Sequence, residues 1–241
     1  GVRADGLIPV FPSKTFPNHY SIATGLYPAH HGIVSNVIAD PMFGERFTMS
    51  SRTSRDARWW GGEPIWVTAE RQGVRTAPIF WPGSEAAIGG RMPTYWQPFD
   101  DEVSNQDRVE RTLRLLGLPE AERPSFLTVY FSESDHAGHE YGPDSAQVTV
   151  ALEHLDAAIQ QLDAGVRSLG LADRTTFVFV SDHGMSALND ERVIFLDDCI
   201  DLNSVDVIDW TPALALTPAS AGAEAVRRRL LNRPPAPPVY R

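Results

Sequence analysis

Two short runs rich in aromatic and β-branched residues, 125–131 and 175–180, flank the longest amphipathic segment of the chain, and these three stretches constrain the fold most. Between them Val148, Leu152, Leu155, Ile159, Leu162, Val166 and Leu169 recur at alternating steps of four and three. That spacing predicts one helix, opened by Ser145 and closed at Gly170, with a single apolar stripe to lay on a sheet. His154 falls off the stripe and reads as solvated. The flanking runs predict buried strands. Upstream the alternation continues, with a helix over 63–72 that has Pro64 in its first turn and Gly73 as its stop, then a strand over 74–80. A further helix is capped by Ser104, carries Val109, Leu113 and Leu116 inward and ends at Gly117. More strand candidates lie at 193–196 and 213–216, a short basic helix at 221–231 and a proline-rich tail at 233–241. Such alternation predicts an α/β fold, a sandwich whose mainly parallel central sheet is flanked by helices.

A chain of 241 residues, 42% hydrophobic and 22% charged, can bury one good-sized core. We expect a single domain over 1–241, with 40–63 and 83–103 as loop excursions near a pocket. The formal net charge of −10, with no basic block beyond the 227–229 arginine run, argues against a nucleic-acid polymer as partner. A small phosphate ester stays open, because bound cations reverse the local sign. The single cysteine, Cys199, excludes an intrachain disulfide and a multi-cysteine zinc site. No run reaches the roughly 18 apolar residues of a membrane span, and the N-terminal residues carry no signal-peptide pattern.

The chemistry concentrates in 11–20, Phe-Pro-Ser-Lys-Thr-Phe-Pro-Asn-His-Tyr. Pro17 suits the first turn of a helix that runs to about Thr24 and stops at Gly25. Thr15 then sits at the helix mouth, where free N–H groups and the positive end of the macrodipole favour a phosphoryl group. A threonine there is either a nucleophile or a mere cap. Asn36 is likewise either a turn residue or a donor that aims its amide at an oxyanion. Two predicted strand ends then deliver Asp–His pairs. Asp135 and His139, four apart, reach one metal ion if their segment is helical or tightly turned. Asp182 and His183 are adjacent and need a turn to face one side, which Gly184 permits. Ligands gather outside the carboxyl ends of strands in open α/β sheets, so the two pairs should converge. Two carboxylates and two imidazoles make a mixed oxygen–nitrogen donor set that suits zinc and can hold manganese or iron.

These motifs resemble those of the nucleotide pyrophosphatase/phosphodiesterase family within the alkaline phosphatase superfamily. Residues 12–20, with Thr-Gly-Leu-Tyr-Pro at 24–28 and His-Gly-Ile at 31–33, are similar to its nucleophile region. The Asp135, His139 and Gly142-Pro143 segment and Ser-Asp-His-Gly-Met at 181–185 are similar to two of its metal motifs, in the family's order. The resemblance implies an alkaline-phosphatase-like fold and Thr15 as nucleophile, lying on one zinc ion with Asp182 and His183. It places a second zinc ion on Asp135 and His139, puts Asn36 on a non-bridging phosphate oxygen, and has Phe16 and Tyr130 sandwich the nucleobase. The implied reaction hydrolyses a nucleotide phosphodiester or pyrophosphate through a covalent threonine intermediate and releases a nucleoside monophosphate. The implied location is the periplasm or cell exterior.

The family's metal site also takes an aspartate upstream of the threonine and a histidine near the C-terminus. Asp5 lies too close to Thr15 to serve as the first, and no histidine follows His183. The chain is therefore expected to be an internal fragment of such an enzyme. Two alternatives stay open: the same scaffold acting on a lipid or choline phosphodiester, a phosphonate or a sulfate, and a binding domain without catalysis.

Overall fold

The computed structural model describes residues 1–49, 52–189, 193–219 and 222–232. The described residues group into two compact units, one drawn from 1–36 and 47–187 and the other from 37–46 and the described residues beyond 187. In chain order the regular elements are α1 (Thr15–Thr24), α2 (Pro28–His31), β1 (Val37–Asp40), β2 (Glu45–Thr48), α3 (Ile65–Arg71), β3 (Thr76–Ile79), α4 (Asn105–Leu116) and β4 (Phe126–Val129). They continue with α5 (Glu133–Tyr141), α6 (Ala146–Ser168), β5 (Val205–Asp209), β6 (Ala215–Pro218) and α7 (Ala223–Leu231). Among the described residues no helix is long and apolar enough to cross a membrane.

The first unit is built on the parallel pair β3–β4, in register from Thr76 beside Phe126 to Ile79 beside Val129. Every residue of β3 is buried, as a strand covered on both faces requires. Against the pair pack α4 and α6, and Val109, Leu116, Ala158, Leu162, Val166 and Leu171 form their common core. Both helices start as their sequences predict. The Ser104 hydroxyl accepts from the Asp107 N–H, and the Ser145 hydroxyl from the Val148 N–H.

The buried face of α6 matches the predicted stripe only in part, with Leu162 and Val166 buried and Val148, Leu155 and Ile159 half-buried. It runs through Ala151, Ala158, Leu162 and Val166, whereas Leu152 and Leu169 are exposed. Small residues win the inner face because the neighbouring helix comes close. A Cβ on Gly165 would stand 2.4 Å from a Leu113 methyl of α4, so only glycine admits that contact. The 63–72 helix forms as α3, with Pro64 as its extended N-cap rather than inside the first turn.

The predicted strand at 175–180 is extended but is not a strand, and it is not buried: Val178, Phe179 and Val180 are 78%, 64% and 48% exposed. Composition favours extension, but a strand is a pairing, and among the described residues this segment has no ladder partner. Only Phe177 turns inward onto the α4–α6 core. The candidate strand at 193–196 is likewise irregular, and that at 213–216 forms two residues later, as β6.

The second unit holds the antiparallel pair β5–β6, bulged between Val207 and Asp209, and the helix α7. Ile200, Val205, Val226 and Leu230 form its small core. Arg46 pairs with Asp206 at the surface. The predicted basic helix is α7; Ala221 and the proline-rich stretch 233–241 lie outside the described residues.

Candidate active site

Helix α1 begins at Thr15, two residues earlier than Pro17 alone suggests, with Lys14 as an extended N-cap that offers no side-chain cap. Its approach is clamped by Asn18, which is buried. The Asn18 amide donates to the carbonyls of Pro12 and Lys14 at 3.1 and 2.9 Å and accepts from the Val10 N–H at 2.8 Å. Gly25, at φ 69°, ends the helix in the left-handed region where a side chain would be strained. The next segment makes the single helical turn α2. Its His31 is buried, accepts from the Ile33 N–H through Nδ1 and meets the Ser21 hydroxyl through Nε2, so it is part of the scaffold.

Two N–H groups without a helical carbonyl partner mark the helix mouth. That of Phe16 donates to Asn36 Oδ1 at 3.0 Å, which orients the Asn36 amide and leaves its N–H₂ as the open end. That of Thr15 has no protein acceptor among the described residues, and Pro17 has no N–H to satisfy. From the 40–63 stretch, Phe47 and Trp60 pack beside this region. Trp60 is buried and packs against Phe16 and Tyr20, with ring centroids 5.8 and 4.8 Å apart.

Asp135 and His139 lie on α5, one turn apart on one face, with His139 Nε2 3.5 Å from Asp135 Oδ1. The segment is thus helical, one of the two conformations that let the pair reach a single ion. Asp182 and His183 both face the same point. Their turn is held by the Ser181 hydroxyl, which donates to the His183 carbonyl at 2.6 Å, and Gly184 does not need a positive φ.

His183 Nδ1 lies 2.9 Å from the Gly184 carbonyl, which can only accept, so Nδ1 carries the hydrogen and Nε2 presents its lone pair. That lone pair faces the Thr15 hydroxyl at 3.4 Å, Asp182 Oδ2 at 3.2 Å and Asp135 Oδ1 at 3.9 Å. Asp135 Oδ1 is buried and accepts no hydrogen bond. Acceptors that face one another so closely repel unless a proton or a cation lies between them. The donor types and the orphaned Asp135 oxygen therefore fit a divalent cation. The donors form pairs, and among the described residues no three His, Cys, Asp or Glu side chains close into a metal cage.

Burial alone would raise the Asp182 carboxyl, but the electrostatics of the adjacent His19 and His183 rings outweigh it and hold it below the usual carboxylate range. Burial first, and then the charges of Asp135 and Asp182, push the Tyr130 hydroxyl far up, so it stays protonated. Phe16 and Tyr130 have different neighbours. Phe16 packs on Phe47 and Trp60, and Tyr130 on His19 and Phe99.

Two residues of the site escape the motif reading. His19, one turn after Thr15, reaches both the Thr15 carbonyl and Asp182; its four-residue spacing from Thr15 on a predicted helix was the available signal. Arg108 of α4 is buried, donates to the Tyr130 and Val103 carbonyls at 2.7 and 3.0 Å, and lies 4.9 Å from the Phe80 ring centroid. It pins the exit of β4, and nothing local in its sequence marks it.

The fold and the convergent Thr, Asp and His side chains define an α/β protein of the alkaline-phosphatase-like class. The family model described as type I phosphodiesterase/nucleotide pyrophosphatase matches residues 1–233, and the chain belongs to that family. It is 38% identical over 243 residues to human ectonucleotide pyrophosphatase/phosphodiesterase family member 1, covering 98% of this chain and 26% of the relative. It is 41% identical over 201 residues to a venom phosphodiesterase of Crotalus durissus collilineatus, covering 83% of this chain and 24% of that protein. The structure of murine ectonucleotide pyrophosphatase/phosphodiesterase 5 superposes with a TM-score of 0.88 at 31% identity, over 97% of this chain and 63% of that one. An inactive threonine-to-alanine form of the same murine protein, in complex with AMP, superposes with a TM-score of 0.87 at 30% identity, over 95% and 61%. The chain thus spans about a quarter of these curated relatives and under two thirds of the solved structures.

Proposed function

We propose that this chain carries the nucleophile and part of the metal site of an enzyme that hydrolyses nucleotide phosphodiester or pyrophosphate bonds and releases nucleoside monophosphates. The observation that carries this reading is the Thr15 hydroxyl at a helix mouth, 3.4 Å from the lone pair of His183 Nε2. Thr15 Oγ attacks phosphorus, the bond to the leaving oxygen breaks, and water then hydrolyses the phosphothreonine. The Thr15 N–H and the helix dipole attract the phosphoryl group, and the Asn36 N–H₂ holds a non-bridging oxygen as negative charge builds.

Asp182, His183 and the Thr15 hydroxyl would hold one divalent ion, and Asp135 with His139 would contribute to a second. Zinc suits this oxygen–nitrogen set, and manganese or iron are further candidates. When bound, such ions supply the positive charge that eases deprotonation of the hydroxyl and steadies the leaving oxygen. Phe16 and Tyr130 would flank the base. The AMP complex of the murine relative and the nucleotide names of the other relatives support the substrate class. The words "ecto" and "venom" in those names support action in the periplasm or outside the cell.

The test is zinc-dependent hydrolysis of p-nitrophenyl thymidine monophosphate beside p-nitrophenyl phosphate and p-nitrophenyl sulfate, in the full-length protein. The diester should be cleaved fastest, and a chelator should stop it until zinc is restored. Preference for the monoester or the sulfate would overturn the substrate assignment.

A further inference from the structure

We propose that His19 is a positioning residue that locks the Asp182 carboxylate to the backbone of the nucleophile; this rests on the function proposed above. The His19 ring is buried between Trp81 and Tyr130, whose ring centroids lie 4.8 and 4.9 Å away, both edge-on. Its own carbonyl accepts from Trp81 Nε1 at 3.1 Å. Ring and backbone are therefore held together, and Nδ1 points in one direction.

In that direction lie two acceptors, the Thr15 carbonyl at 2.8 Å and Asp182 Oδ2 at 3.3 Å. A carbonyl cannot donate, so Nδ1 carries the hydrogen and gives it to the Thr15 carbonyl, with the Asp182 carboxylate in ion-pair contact with the same N–H. One N–H thus ties the first turn of α1 to a carboxylate far away in the chain. Asp182 Oδ2 is also the atom 3.2 Å from His183 Nε2. Setting this carboxylate sets the spacing of Thr15, Asp182 and His183 together. The arrangement is that of an outer group which orients a ligand without touching substrate.

Two substitutions separate this role from simple core packing. His19→Phe keeps the ring volume between Trp81 and Tyr130 but removes the donor. His19→Asn loses ring packing but keeps an N–H near the place of Nδ1. In the full-length protein, His19→Phe is expected to lower kcat about 10- to 100-fold, with KM changed less than about threefold, and to weaken zinc binding by a similar factor. His19→Asn is expected to recover most of both, while its metal-free thermal midpoint falls further than that of His19→Phe. Zinc affinity is read by competition with a chromogenic chelator, without turnover. If both readouts follow packing, with His19→Phe at least as good as His19→Asn, the positioning role is overturned. If the wild type cleaves no nucleotide diester yet zinc affinity ranks as expected, the positioning role stands and the substrate assignment falls. If the wild type binds no zinc, the ranking of kcat alone decides. If it neither binds zinc nor turns over, the proposal fails with the function it rests on.

Discussion

A Cβ on Gly138 would stand 2.6 Å from the Met185 sulfur, so the segment that carries Asp182 and His183 rests on α5 with the Met185 tip against the bare backbone of Gly138. This contact brings the second Asp–His pair beside Asp135 and His139. Gly138→Ala should be nearly neutral for stability, because the flexible Met185 tip can swing aside and alanine improves the helix by up to about 1 kcal/mol. Gly138→Leu should push the segment away and lower turnover of a nucleotide diester at least about tenfold, with helix content by circular dichroism unchanged. Unchanged turnover in Gly138→Leu would show that the contact does not place the site.

Thr15→Ala should fold normally, since the Thr15 side chain caps nothing and its recorded side-chain contact is with His183. Its kcat should fall by at least about 10³-fold, and Thr15→Ser should recover part of the loss. Rapid acid quench and mass spectrometry should find phosphate on residue 15 of the wild type during turnover.

Asn36→Asp keeps an oxygen to accept the Phe16 N–H but replaces the free N–H₂ with a negative oxygen. We expect the first turn of α1 to persist and kcat to fall on the order of 10²- to 10³-fold, the usual effect of losing one oxyanion donor. Steady-state kinetics with near-constant thermal stability would fit this role, and a parallel loss of stability would point to Asn36 as a turn residue.

His31 should make the fold acid-sensitive. Burial lowers it from the ordinary histidine range to about 4, so between the unfolded value near 6.5 and that point the unfolded chain binds more protons than the folded one. Stability from this group is complete above about pH 6.5 and is lost as pH falls toward 4, a change on the order of 3 kcal/mol. Protonation of Nδ1 would also break the bond from the Ile33 N–H. Urea unfolding from pH 7 to 4 should show the loss in wild type and a flatter profile in His31→Gln.

Much of the site was legible because its chemistry is written in short segments. A threonine before a proline-started helix, and aspartate and histidine at fixed spacing, mark Thr15, Asp135, His139, Asp182 and His183 as candidates before any coordinates, and the structure links them pairwise, Thr15 and Asp182 to His183, His183 to Asp135, and Asp135 to His139. Helix starts at Ser104 and Ser145 were legible for the same reason, since a cap acts over three residues. What needed the tertiary structure was whatever depends on a distant neighbour. Residues 175–180 have the composition of a buried strand, but pairing belongs to two segments, and their exposure could not be read from one. The inner face of α6 fell on Ala151 and Ala158 because the approach of α4 is set by Leu113 and Gly165. The ion-pair contact of His19 with Asp182, the seat of Met185 on Gly138 and the hold of Arg108 on Tyr130 each join residues that local sequence does not relate. Propensity and capping are local energies, whereas burial and side-chain partnership are settled only when the chain has closed on itself.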